Sequence, residues 1–146
     1  MREPATLTGP PLLGGATVRW TYSDLLRHAR AVAKALLATG VGKGSRVGVL
    51  MGNRPEAVAS LFGAALAGAV TVPLSTFSPK PELSFLLAHA DLDVLLVQTR
   101  MGSHHFAADV VALCPATAAP PPVRDAAYPY LRHACALGPA RTRAVR

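Results

Sequence analysis

The sequence predicts an α/β fold built on a mostly parallel sheet with helices on both faces. Short apolar runs at residues 47–51, 70–74 and 92–98 alternate with longer stretches of helical periodicity. The connections between them are short and punctuated by glycine and proline, the pattern of successive strand–helix–strand units. The apolar runs are also nearly continuous rather than alternating, as expected of strands covered on both faces.

Residues 1–15 hold three prolines and three glycines and read as an irregular lead-in. Residues 16–20 form a short extended segment. Thr21 then caps a helix, with Asp24 placed to complete a capping box. Leu25, Leu26, Ala29, Val32, Ala33, Leu36 and Leu37 form its apolar stripe, while Arg27, His28, Arg30 and Lys34 lie largely off it. Gly40 ends this helix, and residues 41–46 turn the chain into the strand at 47–51. The turn GVGKGS at 40–45 superficially looks like a phosphate-binding loop. Such a loop needs a strand before it and a helix N-terminus after it, because the helix end supplies the aligned N–H groups. Here a helix precedes and a strand follows, so the glycines serve a turn with left-handed backbone angles and Lys43 is a solvated turn residue.

The central stretch, residues 53–79, reads as a helix, a strand and the start of a further helix. Asn53 is placed as N-cap, Pro55 sits in the first turn, and Glu56 lies three residues after the cap. Val58, Leu61, Phe62, Ala65 and Leu66 are the expected buried face, with Gly63, Ala64, Ala67 and Gly68 keeping the remaining surface small. Gly68 can end the helix in a left-handed conformation. Val70, Val72 and Leu74 form a strand expected to be covered on both faces, its hydrogen bonding ending at Pro73. Residues 57–74 carry no charge, but the run is mostly Ala, Gly and Val, includes Ser60, Thr71 and Pro73, and opens on a helix cap. Two elements of a water-soluble core account for it better than a membrane span, which wants about 20 predominantly apolar residues.

Ser78 and Pro79 open a third helix that runs to about His89, with Leu83, Leu86 and Leu87 inward. Residues 92–98 (LDVLLVQ) make a buried parallel strand, and 99–105 form the loop at its end. A fourth helix at 106–113 stops at Cys114-Pro115. Residues 116–123 are a proline-rich surface excursion, and 130–137 supply one more strand. In such sheets ligands bind at the carboxyl ends of strands. That places function at Gly52-Asn53, at 75–78 and at 99–105.

The bulk numbers exclude several classes. The net charge is 15 − 8 = +7, of which residues 124–146, with five Arg and one Asp, supply +4. The body shows no basic face interleaved with base-reading side chains, so no nucleic-acid partner is expected. Cys114 and Cys135 are too few for a metal or disulfide framework and read as small buried residues. The N-terminal stretch lacks the apolar core of a signal peptide, and a reducing cytoplasm is the expected compartment.

The motif WTYSDL at 20–25 resembles the early L-T-Y-x-E-L motif of the adenylate-forming enzymes, the superfamily of acyl-CoA synthetases, peptide-synthetase adenylation domains and luciferases. LAGAVTVPLS at 66–75 is similar to the later L-x-A-G-x-x-Y-V-P-L motif. VGVLMGNRPE at 47–56 and FSP at 77–79 resemble stand-alone fatty-acyl-CoA ligases in particular. The resemblance covers about residues 18–137 and implies a partial N-terminal subdomain of an adenylate-forming enzyme, with 16–138 as its truncated domain and 139–146 as a basic disordered tail. It implies ATP, Mg²⁺ and CoA as cofactors of the full-length enzyme and a fatty-acid carboxylate as its small-molecule partner, with none of the cofactors held tightly by this chain. The family's Ser/Thr/Gly-rich loop ending in P-K-G and its lysine-bearing C-terminal region have no counterpart in the sequence, and Thr71 stands where many relatives have an aromatic residue. The expectation is therefore an N-terminal segment that does not catalyse alone, arising from an early stop, a frameshift or a split gene. The alternative is a non-catalytic module pairing with a complementing C-terminal polypeptide. A third hypothesis, an anionic-surface binder acting through Arg141, Arg143 and Arg146, would show steep salt dependence. No catalytic or metal-ligating residue is assigned. Arg100, in the loop after the fourth strand, is the single cofactor-binding candidate, where some relatives place arginines against the CoA phosphates; the alternative is a solvated loop arginine beside two surface histidines, since an isolated Arg is no phosphate site. His104 and His105 follow nearby and diverge too far to hold a metal together.

Overall fold

A computed structural model describes residues 6–8 and 19–137, the first three by their backbone. Strands β1 (Thr6–Thr8) and β2 (Arg19–Thr21) pair antiparallel, with Leu7 opposite Trp20. β1 thus lies within the segment read as an irregular lead-in, and β2 stands outside the parallel sheet. Helix α1 (Tyr22–Ala38) follows at once. Its capping box forms as expected: the Asp24 N–H donates to Thr21 Oγ1 at 3.1 Å, and the Thr21 N–H donates to Asp24 Oδ2 at 2.9 Å.

The parallel sheet is built from β3 (Arg46–Leu50), β4 (Val70–Pro73), β5 (Val94–Gln98) and β6 (His133–Leu137), in the spatial order β4-β3-β5-β6. The connecting helices are α2 (Pro55–Leu66), α3 (Lys80–His89) and α4 (Phe106–Leu113), with a short 3₁₀ turn at Pro115–Ala118 after the last. Strand alternation sorts them onto two faces. Val47 and Val49 of β3 and Val94 and Leu96 of β5 pack with Ala33 and Leu36 of α1 and Ala64 of α2. Leu50, Leu95 and Val97 point the other way, onto Leu83 and Leu87 of α3 and Phe106 and Val110 of α4. The expected α/β fold with helices on both faces is what forms. Among the described residues no helix is long and apolar enough to cross a membrane.

The local details differ from expectation at four places. Pro55 drives the residue before it to extended angles, so Arg54 (φ −145°, ψ 152°), not Asn53, is the N-cap of α2. Glu56 bonds the Arg54 side chain at 2.8 Å instead of closing a capping box. The buried face of α2 is the small one, Ala59, Ser60, Gly63 and Ala64, while Phe62 and Leu66 are exposed. The reason is the close approach of α1: a Cβ on Gly63 would lie 2.6 Å from Val32 Cβ. β4 is the sheet's edge, so Val70 is exposed rather than covered, and its hydrogen bonding does not end at Pro73, since the Leu74 N–H still bonds the Val49 carbonyl at 2.9 Å. Finally, Cys114 is buried but Cys135, on the opposite edge strand, is exposed, and Val123 in the proline-rich excursion is buried.

The turns behave as the glycines require. Gly40, Gly44 and Gly68 all take positive φ, near +80° to +87°. The Gly44 N–H bonds the Gly68 carbonyl at 3.4 Å, so the loop that resembles a phosphate cradle closes onto the end of α2 instead.

Candidate functional site

The carboxyl ends of β3, β4 and β5 enclose a cleft of about 410 Å³. Met51, Gly52 and Asn53 line it after β3, and Leu74 to Phe77 after β4. Met101 closes it from the loop after β5. Sequence reasoning placed function on these three segments, and the fold brings them together. The surfaces are chiefly apolar: Phe77 is 90% exposed at the rim, and among the described residues no charged side chain lines the cleft.

Gln98, missed in the sequence, fixes the cleft's floor. Its side chain is buried at the last position of β5, where the Gly52 N–H donates to Oε1 at 3.0 Å and Nε2 donates to the Arg100 carbonyl at 2.7 Å. One amide therefore ties the loop after β3 to the loop after β5. A Cβ on Gly52 would come 2.7 Å from Met101 Sδ, so a larger residue there would displace the flexible Met101 side chain that closes the cleft. Gln98→Leu is expected to lower stability by about 1–3 kcal/mol, because the Gly52 donor and the Arg100 acceptor lose their partner. Faster hydrogen exchange at the Gly52 amide, with β3 unaffected, would mark the loss as local.

Arg100 lies on the outer side of this loop, exposed, and its Nε donates to the Gly102 carbonyl at 2.7 Å. His105 is the N-cap residue of α4 and makes no side-chain cap bond. His104 Nε2 stands 2.7 Å from Asp109 Oδ2, while Lys80 Nζ reaches Oδ1 of the same carboxylate at 2.7 Å. This cluster also went unseen in the sequence, since it joins the start of α3 to the first turn of α4. The Lys80 hydrogen bond, opposed by burial and aided by the Lys80 and His104 charges, holds the Asp109 carboxyl below its ordinary value. Its contribution to stability is therefore complete above the unfolded carboxyl's pKa, about 3.9, and is lost as pH falls through the lower folded value. Asp109→Asn should remove that part of the acid dependence and flatten the stability profile below about pH 4. An unaltered profile would show that the cluster adds nothing. Among the described residues no group of three or more His, Cys, Asp or Glu could hold a metal ion.

A family model described as "AMP-binding enzyme" matches residues 4–131, most of the chain, and the chain belongs to that family. Among curated proteins it is 41% identical over 86 residues to the acyl-CoA ligase sidI of Aspergillus fumigatus, a match covering 59% of this chain and 15% of the relative. It is 40% identical over 79 residues to the long-chain-fatty-acid–CoA ligase FadD13 of Mycobacterium tuberculosis, covering 54% of this chain and 16% of that one. Among solved structures, the N-terminal domain of FACL13 from the same organism superposes with a TM-score of 0.63 at 30% identity, over 82% of this chain and 27% of that one. The anthranilate CoA ligase AuaEII in complex with anthranoyl-AMP gives a TM-score of 0.64 at 25% identity, over 82% of this chain and 20% of that one. The chain thus spans about a sixth of the length of these curated relatives.

Proposed function

We propose that the chain supplies the first parallel-sheet region of an ATP-dependent acyl-CoA ligase, one that adenylates a carboxylate and passes the acyl group to the CoA thiol. The observation that carries this is the family match over residues 4–131, with acyl-CoA ligases among the relatives that match. Residues 16–138 are its share of the AMP-binding domain, and a fatty acid is the carboxylate class in view.

The residues of the cleft do not fit the triphosphate of ATP. Offsetting charge at a transferring phosphoryl centre takes cationic groups and directed N–H donors. Asn53, Ser75 and Thr76 bring neutral donors to the cleft, but none of its lining side chains, among the described residues, is cationic. The chain's part is accordingly a scaffold: Gln98 and Gly52 hold the strand-end loops around an apolar recess, and the phosphate chemistry falls to groups outside this chain. Arg100 remains the proposed contact for a CoA phosphate, supported by its exposure and by the anchoring of its Nε at the loop surface.

The test is to fuse the full chain ahead of the part of FadD13 that lies beyond its matched segment. Acyl-CoA formation dependent on ATP, Mg²⁺, CoA and a long-chain fatty acid is the expected result. A folded fusion with no such activity would overturn the ligase reading. Arg100→Ala in an active fusion should raise the KM for CoA, and an unchanged value would remove Arg100 from the site.

A further inference from the structure

The amino edge of the sheet, opposite the strand-end cleft, carries a second recess. Between α4 and β6 the chain makes an excursion that is pinned at two buried side chains, Val123 and Leu131, both packed in the core beneath α3 and α4. The Val123 N–H bonds the Arg132 carbonyl at 2.7 Å, and the Arg132 N–H bonds the Asp93 carbonyl at 2.8 Å. The residues that follow the two buried ones, Arg124 and Arg132, are exposed. With Pro122 and Val123 they line one cleft of about 310 Å³.

The acids nearest in the chain do not neutralise this pair. Asp125 Oδ1 accepts from the Ala127 N–H at 2.8 Å, and after burial its charge is what pushes the Cys114 thiol up, so this carboxylate is turned toward the interior. Asp93 Oδ2 accepts from the Arg46 N–H at 2.7 Å. Among the described residues neither Arg124 nor Arg132 stands in an ion pair. Arg132 Nη1 donates to the Pro129 carbonyl at 2.8 Å, which fixes the guanidinium while using only one of its five N–H groups.

We propose that the Arg124–Arg132 cleft binds a small phosphate monoester, whose dianion the two guanidiniums share. Two positive charges on one recess match two negative charges, and the planar guanidinium fork fits phosphate oxygens in pairs. The size of the recess sets the class of occupant. It lies at the lower end of the range for small-molecule sites, about 300–1,000 Å³. The site is independent of the ligase reading, since none of its residues lines the cleft at the carboxyl ends of the strands.

The test is a titration of the full 146-residue chain at an ionic strength of about 0.15 M, held with sodium chloride so that screening stays constant. Inorganic phosphate and glycerol 3-phosphate should each bind saturably and raise Tm with concentration. Acetate and dimethyl phosphate, with one negative charge, should bind clearly more weakly. Arg124→Gln should weaken glycerol 3-phosphate binding by about tenfold or more, the loss of one charge-assisted hydrogen bond, with no change in the urea midpoint. Arg132→Lys keeps the charge but loses the fork, and should weaken binding too. Arg30→Gln, the same charge change on α1, should leave the affinity unaltered. Absence of saturable phosphate binding overturns the inference, and so does an equal loss in Arg30→Gln and Arg124→Gln, which would mean general attraction to a basic chain. Removal of residues 139–146 that abolishes a binding left intact by Arg124→Gln would give the phosphate to the tail and overturn it as well. A phosphoserine peptide bound far more tightly than glycerol 3-phosphate would give the cleft to a phosphorylated protein and overturn the small-molecule occupant.

Discussion

Gly63→Leu is expected to lower the stability of the chain by about 2–3 kcal/mol, although leucine is the better helix former by about 0.8 kcal/mol. A Cβ at this position would stand 2.6 Å from Val32 Cβ, 2.7 Å from Val32 Cγ1 and 2.9 Å from the Ala29 carbonyl oxygen. Two of those three atoms belong to parts of α1 that no rotamer change can move. The helices must separate, and the face shared by Ala33, Leu36 and Ala64 loosens with them. For the same reason Val32→Ala should not rescue the variant, because alanine keeps the Cβ and the Ala29 carbonyl stays where it is. Urea unfolding reads the effect as a lower midpoint at constant slope. A midpoint unchanged or raised would mean that helix propensity, not the α1–α2 approach, governs the site.

Leu95→Ala should cost more, about 3–5 kcal/mol. Leu95 is fully buried in β5, the strand flanked by β3 and β6, and it packs in the cluster formed with Leu83 and Leu87 of α3 and Phe106 and Val110 of α4. Truncation leaves a cavity under two helices that are also tied to the sheet by covalent loops, so collapse is limited. Against a typical domain stability of about 5–15 kcal/mol, this brings the chain near its unfolding threshold. Phe62→Ala provides the contrast. Phe62 is larger but 54% exposed, and its removal should change stability by no more than about 0.5 kcal/mol. Equal costs for the two substitutions would contradict the assignment of faces.

The contrast also shows what the sequence could reveal. Helix α1 is legible because Thr21 and Asp24 stand at capping-box spacing and the stripe that follows keeps a single period. β5 is legible because a run of five buried residues has no alternation to misread. The face of α2 was misassigned because large apolar side chains normally point inward, whereas here helix–helix distance decides. The clue was present in the small residues Ser60, Gly63, Ala64 and Ala67, which recur at helical spacing on one side. The exposure of Val70 and Cys135 follows from the order of strands in the sheet, a long-range property that local pattern does not carry. The site divides in the same way. The three strand-end loops could be placed by rule, because parallel strands all deliver their carboxyl ends to one edge. The Asp109 cluster could not, as Lys80 and His104 meet it only after α3 and α4 have packed. Gln98 left a faint signal, a polar residue closing an otherwise apolar strand.

The central claim is that this chain contributes a scaffold to an acyl-CoA ligase and not its phosphate chemistry. The most direct measurement is ATP–pyrophosphate exchange by the purified 146-residue chain, supplied with Mg²⁺ and a long-chain fatty acid. Exchange indistinguishable from a protein-free control is the predicted result. Exchange that depends on the fatty acid and survives further purification would contradict the account, since it would show that the residues around Gly52, Phe77 and Met101 form an adenylation site by themselves.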